Sequence, residues 1–137
     1  MRVIANVRRL VIRRGLKLLE EREGTGPVAQ KGSNVVYNLR VYLNKGDEVP
    51  INDTAGHPPE VIRHEATGDL LNFVCRVGRR DAFAAVEYAL EGMREGGYRK
   101  IQSKPQLAYG EAGVPGKIPK NAIVTFEVWL RKVTNGA

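Results

Sequence analysis

The sequence is poor in the features that mark many functions at a glance. It holds a single cysteine, Cys75, so no disulfide can form within it. No run of about 18 apolar residues occurs, so no segment reads as a membrane-spanning helix. The opening stretch, MRVIANVRRLVIRR, has no apolar core long enough for a secretory signal, because arginines interrupt it every few residues. It is Arg-rich and free of acids, as organelle-targeting peptides are. It is also poor in Ser, and its apolar residues partly alternate as in a strand, so a cytoplasmic protein is the expectation. Phosphate-binding loops are missing too. No G-x-x-x-x-G-K-[ST] and no strand-linked G-x-G-x-x-G is present. GEAGVPGK has the glycines, but its Pro-rich continuation cannot feed the helix that a phosphate site needs. Internal repeats and low-complexity tracts are absent.

What is present describes an ordinary globular domain. The 137 residues are 42% hydrophobic and 27% charged, enough for one domain with its own core. Net charge is +7. Arg2, Arg8, Arg9, Arg13, Arg14 and Lys17 crowd the N-terminal end. Such a patch attracts polyanions by counterion release. No aromatic residue is interleaved to stack on bases, so the patch reads as a solvated face and nucleic acid is not the expected partner. Cys75 lies in the alternating run NFVCRVG and reads as a small buried hydrophobe. A reactive thiol would need a neighbouring His or another means of lowering its pKa, and none is in evidence.

Along the chain, residues 3–13 and 16–20 are strand-like with mixed periodicity, and Leu16 to Glu21 fits a helical turn equally well. GTGP at 24–27 marks a turn. NVVYNLRVYL, from Asn34 to Leu43, is a strand rich in β-branched and aromatic residues. Residues 50–70, PINDTAGHPPEVIRHEATGDL, lose periodicity and predict a long loop with at most a short helical piece, functional or mobile. His57 and His64 lie there among Asp53, Glu60 and Glu65, but their spacing matches no metal motif and no metal site is expected. LLNFVCRV, 70–77, alternates as a second strand, with Phe73, Cys75 and Val77 on one face. DAFAAVEYALEG predicts a short helix with Asp81 as N-cap and Gly92 as C′ stop. Its Phe83, Val86 and Leu90 form one stripe. A third strand surrounds Tyr98 to Ser103. The last run, AIVTFEVWLRKV, sends Val124, Phe126, Val128 and Leu130 one way and Thr125, Glu127, Trp129 and Arg131 the other. The pattern predicts an α+β fold: an antiparallel β-sheet of about five strands wrapped over one short α-helix.

One phrase is more specific than the rest. ALEGMREGGYRKIQSKPQLAYGEAGVPGKIPKNAIVTFEVWLRKV closely resembles the C-terminal half of the FKBP-type peptidyl-prolyl isomerases. That family carries a Leu-x-Gly-Met-like helix end, Gly-x-Arg, a strand, Ala-Tyr-Gly, a Gly-Pro loop, Ile-Pro-x-Asn-Ala and a Phe-containing last strand, all in this order. GLKLLEEREGTGPVAQKG resembles the family's first segment. The resemblance spans roughly 15–133. It implies an FKBP-like domain over 15–133 with a long insertion at 50–70, a basic arm or extra strand at 1–14 and a tail at 134–137.

The resemblance also implies a chemistry. Rotation about an X–Pro amide faces a barrier of about 18–20 kcal/mol because it breaks resonance. An apolar cup that takes the proline ring and strips water from its carbonyl favours the twisted amide, with no acid, base or nucleophile. The Gly/Pro loop would be the flap of that cup, between Tyr109 on one side and Phe126 below. Phe73, Tyr109, Ile118 and Phe126 match family pocket positions, the tyrosine hydroxyl bonding the ligand and the phenylalanines forming walls. Elsewhere the chain departs from the pattern. Val86 stands where a floor tryptophan is usual. Ala82 and Phe83 replace a Val-Ile pair whose backbone N–H faces the ligand. Leu39 stands at the usual pocket Tyr, and Val49 and Pro50 at a Phe-Asp pair, with Asp53 as a shifted substitute. The insertion exceeds the family's norm. The expected site therefore has Tyr109, Phe126, Phe73 and Phe83 at the reacting amide, with Ile118, Val86, Leu39, Val49 and Ala82 around the proline. It predicts weak macrolide binding and reduced isomerase activity on proline-containing polypeptides, without a cofactor. The alternative is a module of the same fold whose decayed site leaves partner binding to loop 50–70, Trp129 or the basic arm. As a plain structural reading, Phe73, Phe126 and Ile118 are core and Tyr109 a corner residue.

Overall fold

The computed structural model describes residues 15–108, 110 and 113–135. The basic arm at 1–14, Tyr109 and the end of the tail lie outside the described residues. Strand β1, Leu16–Arg22, buries Leu16 and Leu18 and exposes Lys17 and Leu19. That period of two settles the segment as a strand rather than a helical turn. β2 is Asn34–Leu43, β3 Glu48–Val49, β4 Ile62–Arg63, β5 Leu70–Leu71, β6 Phe73–Arg76, β7 Tyr98–Ser103 and β8 Val124–Thr134. Helix α1 is Ala84–Leu90. All strand pairs are antiparallel. The main sheet runs β1-β7-β8-β2-β3, with β6 also paired to β2, and β4 and β5 form a separate hairpin. The architecture is thus the expected α+β one, with six strands in the main sheet rather than about five.

β2 and β8 make the spine. They pair from Asn34↔Thr134 to Leu43↔Val124, with a bulge between Val36 and Tyr37. Val124, Phe126, Val128 and Leu130 of β8 are fully buried, as their alternation predicts. Val35, Tyr37, Leu39 and Val41 of β2 bury the same face. Ala85, Val86, Ala89 and Leu90 of α1 close over it, completing one core. Each such Val or Leu contributes about 1.5–3 kcal/mol relative to exposure.

The outer face of the sheet is polar but organised. Tyr42 and Tyr98 each donate to a different oxygen of Glu127, both at 2.6 Å. Trp129 does point outward, half-buried against Tyr98 with ring centroids 5.3 Å apart. Arg22 covers the Tyr98 ring at 4.0 Å. No helix among the described residues is long and apolar enough to cross a membrane.

Three local expectations need correction. The run at 70–77 is not one strand: β5 pairs with β4, β6 pairs with β2, and Asn72 breaks the line between them. The 50–70 segment has the short helical piece expected of it, a 3-10 turn at Pro59–Val61, but the rest is not all loop, since it also carries the β4–β5 hairpin. Two-residue strands are too short to show alternation. Asp81 does not cap α1, whose N-cap is Phe83 with no side-chain bond. Its carboxylate accepts the Arg76 N–H at 3.0 Å instead. The turn before the helix is held from within by Glu87. One Glu87 oxygen accepts the N–H groups of Gly78 and Arg80, at 2.9 and 3.0 Å, and the other that of Ala82 at 2.9 Å. At the far end Gly92 has φ +90°, the left-handed C′ position expected of it.

Candidate functional site

The expected cup residues come from six separate elements. Leu39 lies on β2, Val49 on β3 and Phe73 on β6. Ala82 and Phe83 precede α1, Val86 lies within it, Ile118 ends a tight turn and Phe126 lies on β8. Leu39, Val49, Val86, Ile118 and Phe126 belong to one buried cluster, with Phe73, Ala82 and Phe83 packed against it. Tyr109 lies outside the described residues. The eight described side chains thus all pack in or against the domain's hydrophobic core.

Burial sorts them into two groups. Phe126 and Val86 are fully buried, and Leu39, Val49 and Ile118 nearly so. Phe73, Phe83 and Ala82 are only half-buried. Phe83 stands edge-on to Phe126, ring centroids 5.7 Å apart and planes at 85°. This is a favoured aromatic geometry, since the positive ring edge meets the negative face. Phe83 and Phe73 thus present accessible aromatic surface, while Phe126 and Val86 lie deeper.

From Val114 to Ile118 the Gly/Pro loop is a closed turn. Val114 and Ile118 exchange both backbone hydrogen bonds at 2.8 Å. Gly113 has φ +62°, and a Cβ there would sit 2.3 Å from the Ile118 carbonyl oxygen and 2.6 Å from that of Pro119. Only glycine permits that approach. Ile118 is thereby turned inward to 4% exposure, while Pro115, Gly116 and Lys117 stay in solvent.

Two features escaped the sequence reading. Tyr37 is buried on the same face as Leu39, two positions upstream, and its ring lies 5.7 Å from that of Phe73. A tyrosine thus lies next to Phe73, two positions upstream of Leu39, where the family resemblance expects one. Its signal is the β2–β6 register, which pairs Tyr37 with Phe73. The second is the Ala82 N–H, which is engaged by Glu87.

Asp53, read as a shifted substitute, and His57 and His64, weighed as metal ligands, all lie on the insertion. Asp53 is exposed, and its carboxylate accepts the Ala55 N–H at 3.0 Å in a local turn. His57 is exposed, and His64 meets Asp69 at 2.9 Å across the β4–β5 hairpin. Among the described residues no three His, Cys, Asp or Glu side chains are grouped to hold a metal. A cleft of about 590 Å³ beside Lys31, Arg80, Tyr88 and Glu91 contains none of the expected cup residues.

The eight described cup side chains carry no ionisable group, so they offer no acid or base. The perturbed groups lie elsewhere. Burial first, then the charges of Glu87 and Asp81, pushes the Cys75 thiol up to about 12. Burial and then Glu127 raise both Tyr42 and Tyr98 well above the ordinary phenol range. Desolvation, then Arg63, lowers Arg131. What these eight side chains offer is apolar and aromatic surface.

Residues 26–131 match the sequence profile of the FKBP-type peptidyl-prolyl cis-trans isomerases. The 46 kDa FK506-binding nuclear protein of Spodoptera frugiperda is 30% identical over 119 residues, 87% of this chain and 26% of that protein. FK506-binding protein 1A of Neurospora crassa is 31% identical over 117 residues, 85% of this chain and 86% of that protein. A peptidyl-prolyl cis-trans isomerase of Saccharomyces cerevisiae is 29% identical over 125 residues, 91% of this chain and 26% of that protein. The chain spans about a quarter of the length of several relatives it matches. With its antiparallel sheet, the short helix α1 and a profile match over most of its length, this chain belongs to the FKBP-type peptidyl-prolyl cis-trans isomerase family.

Proposed function

We propose that this domain binds X–Pro segments of polypeptides and accelerates their cis–trans isomerisation at a reduced rate. The observation that carries the reading is the half-buried Phe83 ring set edge-on against the fully buried Phe126. A proline ring set against Phe83 would lose water from the adjoining carbonyl. Desolvation weakens the charge-separated planar amide more than the twisted one and so lowers the rotation barrier. The reduced rate follows from depth. With Val86 in place of a floor indole and Phe83 leaning on Phe126, the ring meets a shallow surface. Tyr109 belongs to the proposal as the hydroxyl donor that the family resemblance assigns to it. Residence in a reducing compartment such as the cytoplasm suits a domain whose one cysteine is a buried free thiol.

The same closure favours a second reading. A domain whose floor is fully buried is also suited to holding a protein partner without turning over its prolines, through the structured insertion at 50–70 or the Trp129 face. A protease-coupled assay on X–Pro tetrapeptides, varying X, decides between them. Acceleration that is lost in Phe83→Ala supports the isomerase. No acceleration from a folded sample transfers the reading to the binding module.

A further inference from the structure

The β2 strand has a gap on one edge. On the edge away from β8, β6 pairs with Asn34–Tyr37 and β3 with Val41 and Tyr42, so among the described residues no strand pairs there with the stretch from Asn38 to Arg40. The chain leaves this edge after Val49 and returns at Phe73, with the whole insertion between. The amide of Asn52 fills the gap. Its Nδ2 donates to the Leu39 carbonyl at 2.8 Å, and its Oδ1 accepts the Leu71 N–H at 2.9 Å. Only this orientation of the amide matches donor to acceptor at both ends. The side chain acts as a stand-in peptide unit where a ladder rung is missing.

Asn52 therefore joins three segments that each carry an expected cup residue. It follows Val49 closely in sequence, it bonds the backbone of Leu39, and it bonds Leu71, two residues before Phe73. A second amide reinforces the neck. Asn38 is fully buried, and its Nδ2 donates to the Leu71 carbonyl at 2.9 Å and to Asn72 Oδ1 at 2.8 Å. Its Oδ1 accepts from Arg131 Nε at 2.6 Å.

We propose that Asn52 is a positioning residue for the cup: by clamping the neck of the insertion it holds Leu71, and with it the start of β6 that carries Phe73, in place beside Leu39. Nothing in the insertion need touch substrate for this to hold. The clamp lets a long insertion hang from a wall that must keep its width, because small displacements of binding groups are costly in rate. The use of that wall for X–Pro peptides rests on the function proposed above; the clamp itself does not.

The test compares Asn52→Ala and Asn52→Asp with Leu18→Ala, a core change on β1 at the opposite end of the sheet order. Asn52→Asp keeps an acceptor for Leu71 but removes the donor to Leu39. Two-dimensional NMR of the free protein reads the Phe73 ring and the Leu39 and Phe73 amides. Both Asn52 variants should shift these signals, and Leu18→Ala should not, even where its Tm loss is as large. With active wild type, kcat/KM for an X–Pro peptide should fall about tenfold in Asn52→Ala. Unmoved Phe73 and Leu39 signals, or equal shifts in the control, overturn the clamp. Inactive wild type whose Phe73 signals still follow Asn52 would sink the isomerase reading and leave the clamp standing.

Discussion

Phe83 meets Phe126 edge-on at 5.7 Å, and the two rings differ in access: Phe126 is fully buried while Phe83 is half-exposed. Truncating them should have separable effects. Phe126→Ala empties a sealed site and should cost about 3–5 kcal/mol of stability. Phe83→Ala removes an accessible ring and should cost less stability, with isomerase activity falling by at least about tenfold. Urea unfolding and the peptide assay on both variants check this. Equal stability losses would mean that Phe83 is core and not cup.

Val86 is the position where the family resemblance places a floor tryptophan, yet here it is sealed beneath its neighbours. Val86→Trp alone should overpack the core and destabilise by about 1–3 kcal/mol or more. Combined with Phe83→Ala, the indole gains space, so the double variant should be more stable than the sum of the single losses predicts. A double-mutant cycle on unfolding free energies measures that coupling. Strict additivity would show that Phe83 does not occupy the volume a floor indole needs.

Much of this fold is legible in its sequence because its long elements are regular. β2, β7 and β8 alternate, and Gly92 ends α1 where a left-handed residue is required. The insertion is not legible, since β4 and β5 have two residues each and β5 is held by the side chains of Asn38 and Asn52 rather than by pattern. The helix start misleads because Asp81 has the right type and spacing for a cap but bonds Arg76 instead. For the site, alternation tells which residues face inward and not how deep they lie. Leu39, Val49 and Phe126 face inward for the same reason core residues do, so a cup and a core share one signature. The aromatic against Phe73 needs the β2–β6 register, and a sequence alone does not reveal that Tyr37 meets it.

The Tyr42–Glu127–Tyr98 triad gives stability a pH limit. Both phenols are raised by burial and by the Glu127 carboxylate they donate to. The folded chain thus keeps protons that an unfolded chain releases near about pH 10. Their contribution is complete below that pH and is lost as pH rises from there toward the higher folded values. Tm followed from pH 8 upward should be flat and then fall, and Tyr98→Phe should shallow the fall. An unchanged slope in Tyr98→Phe would exclude the triad as its cause.

Cys75 should be inert in the native state. Its thiol is buried and pushed up to about 12, so little thiolate forms at pH 8. Alkylation by iodoacetamide at that pH should track global unfolding and become fast in denaturant. Rapid labelling of the native protein would show that β6 opens locally and would place this strand among the less stable parts of the sheet.

Glu87 links fold and site through a turn rather than through contact with substrate. Its two oxygens accept the N–H groups of Gly78, Arg80 and Ala82, and Arg80 sits at φ +65°, a conformation that favours glycine. The turn therefore depends on this carboxylate. Glu87→Gln keeps one oxygen but points an amide NH₂ toward a backbone donor, leaving at least one N–H unsatisfied at a cost of about 1–3 kcal/mol. The damage should be local, because the freed N–H groups belong to the segment that ends in Ala82 and Phe83. Hydrogen exchange should speed up at 78–82 more than in β2 or β8, and activity should drop with Phe83 less well held. Arg80→Gly relaxes the left-handed strain and should recover part of the lost stability in the Glu87→Gln background. If exchange rises evenly across the sheet instead, Glu87 is a general core contact and not the fastener of this turn.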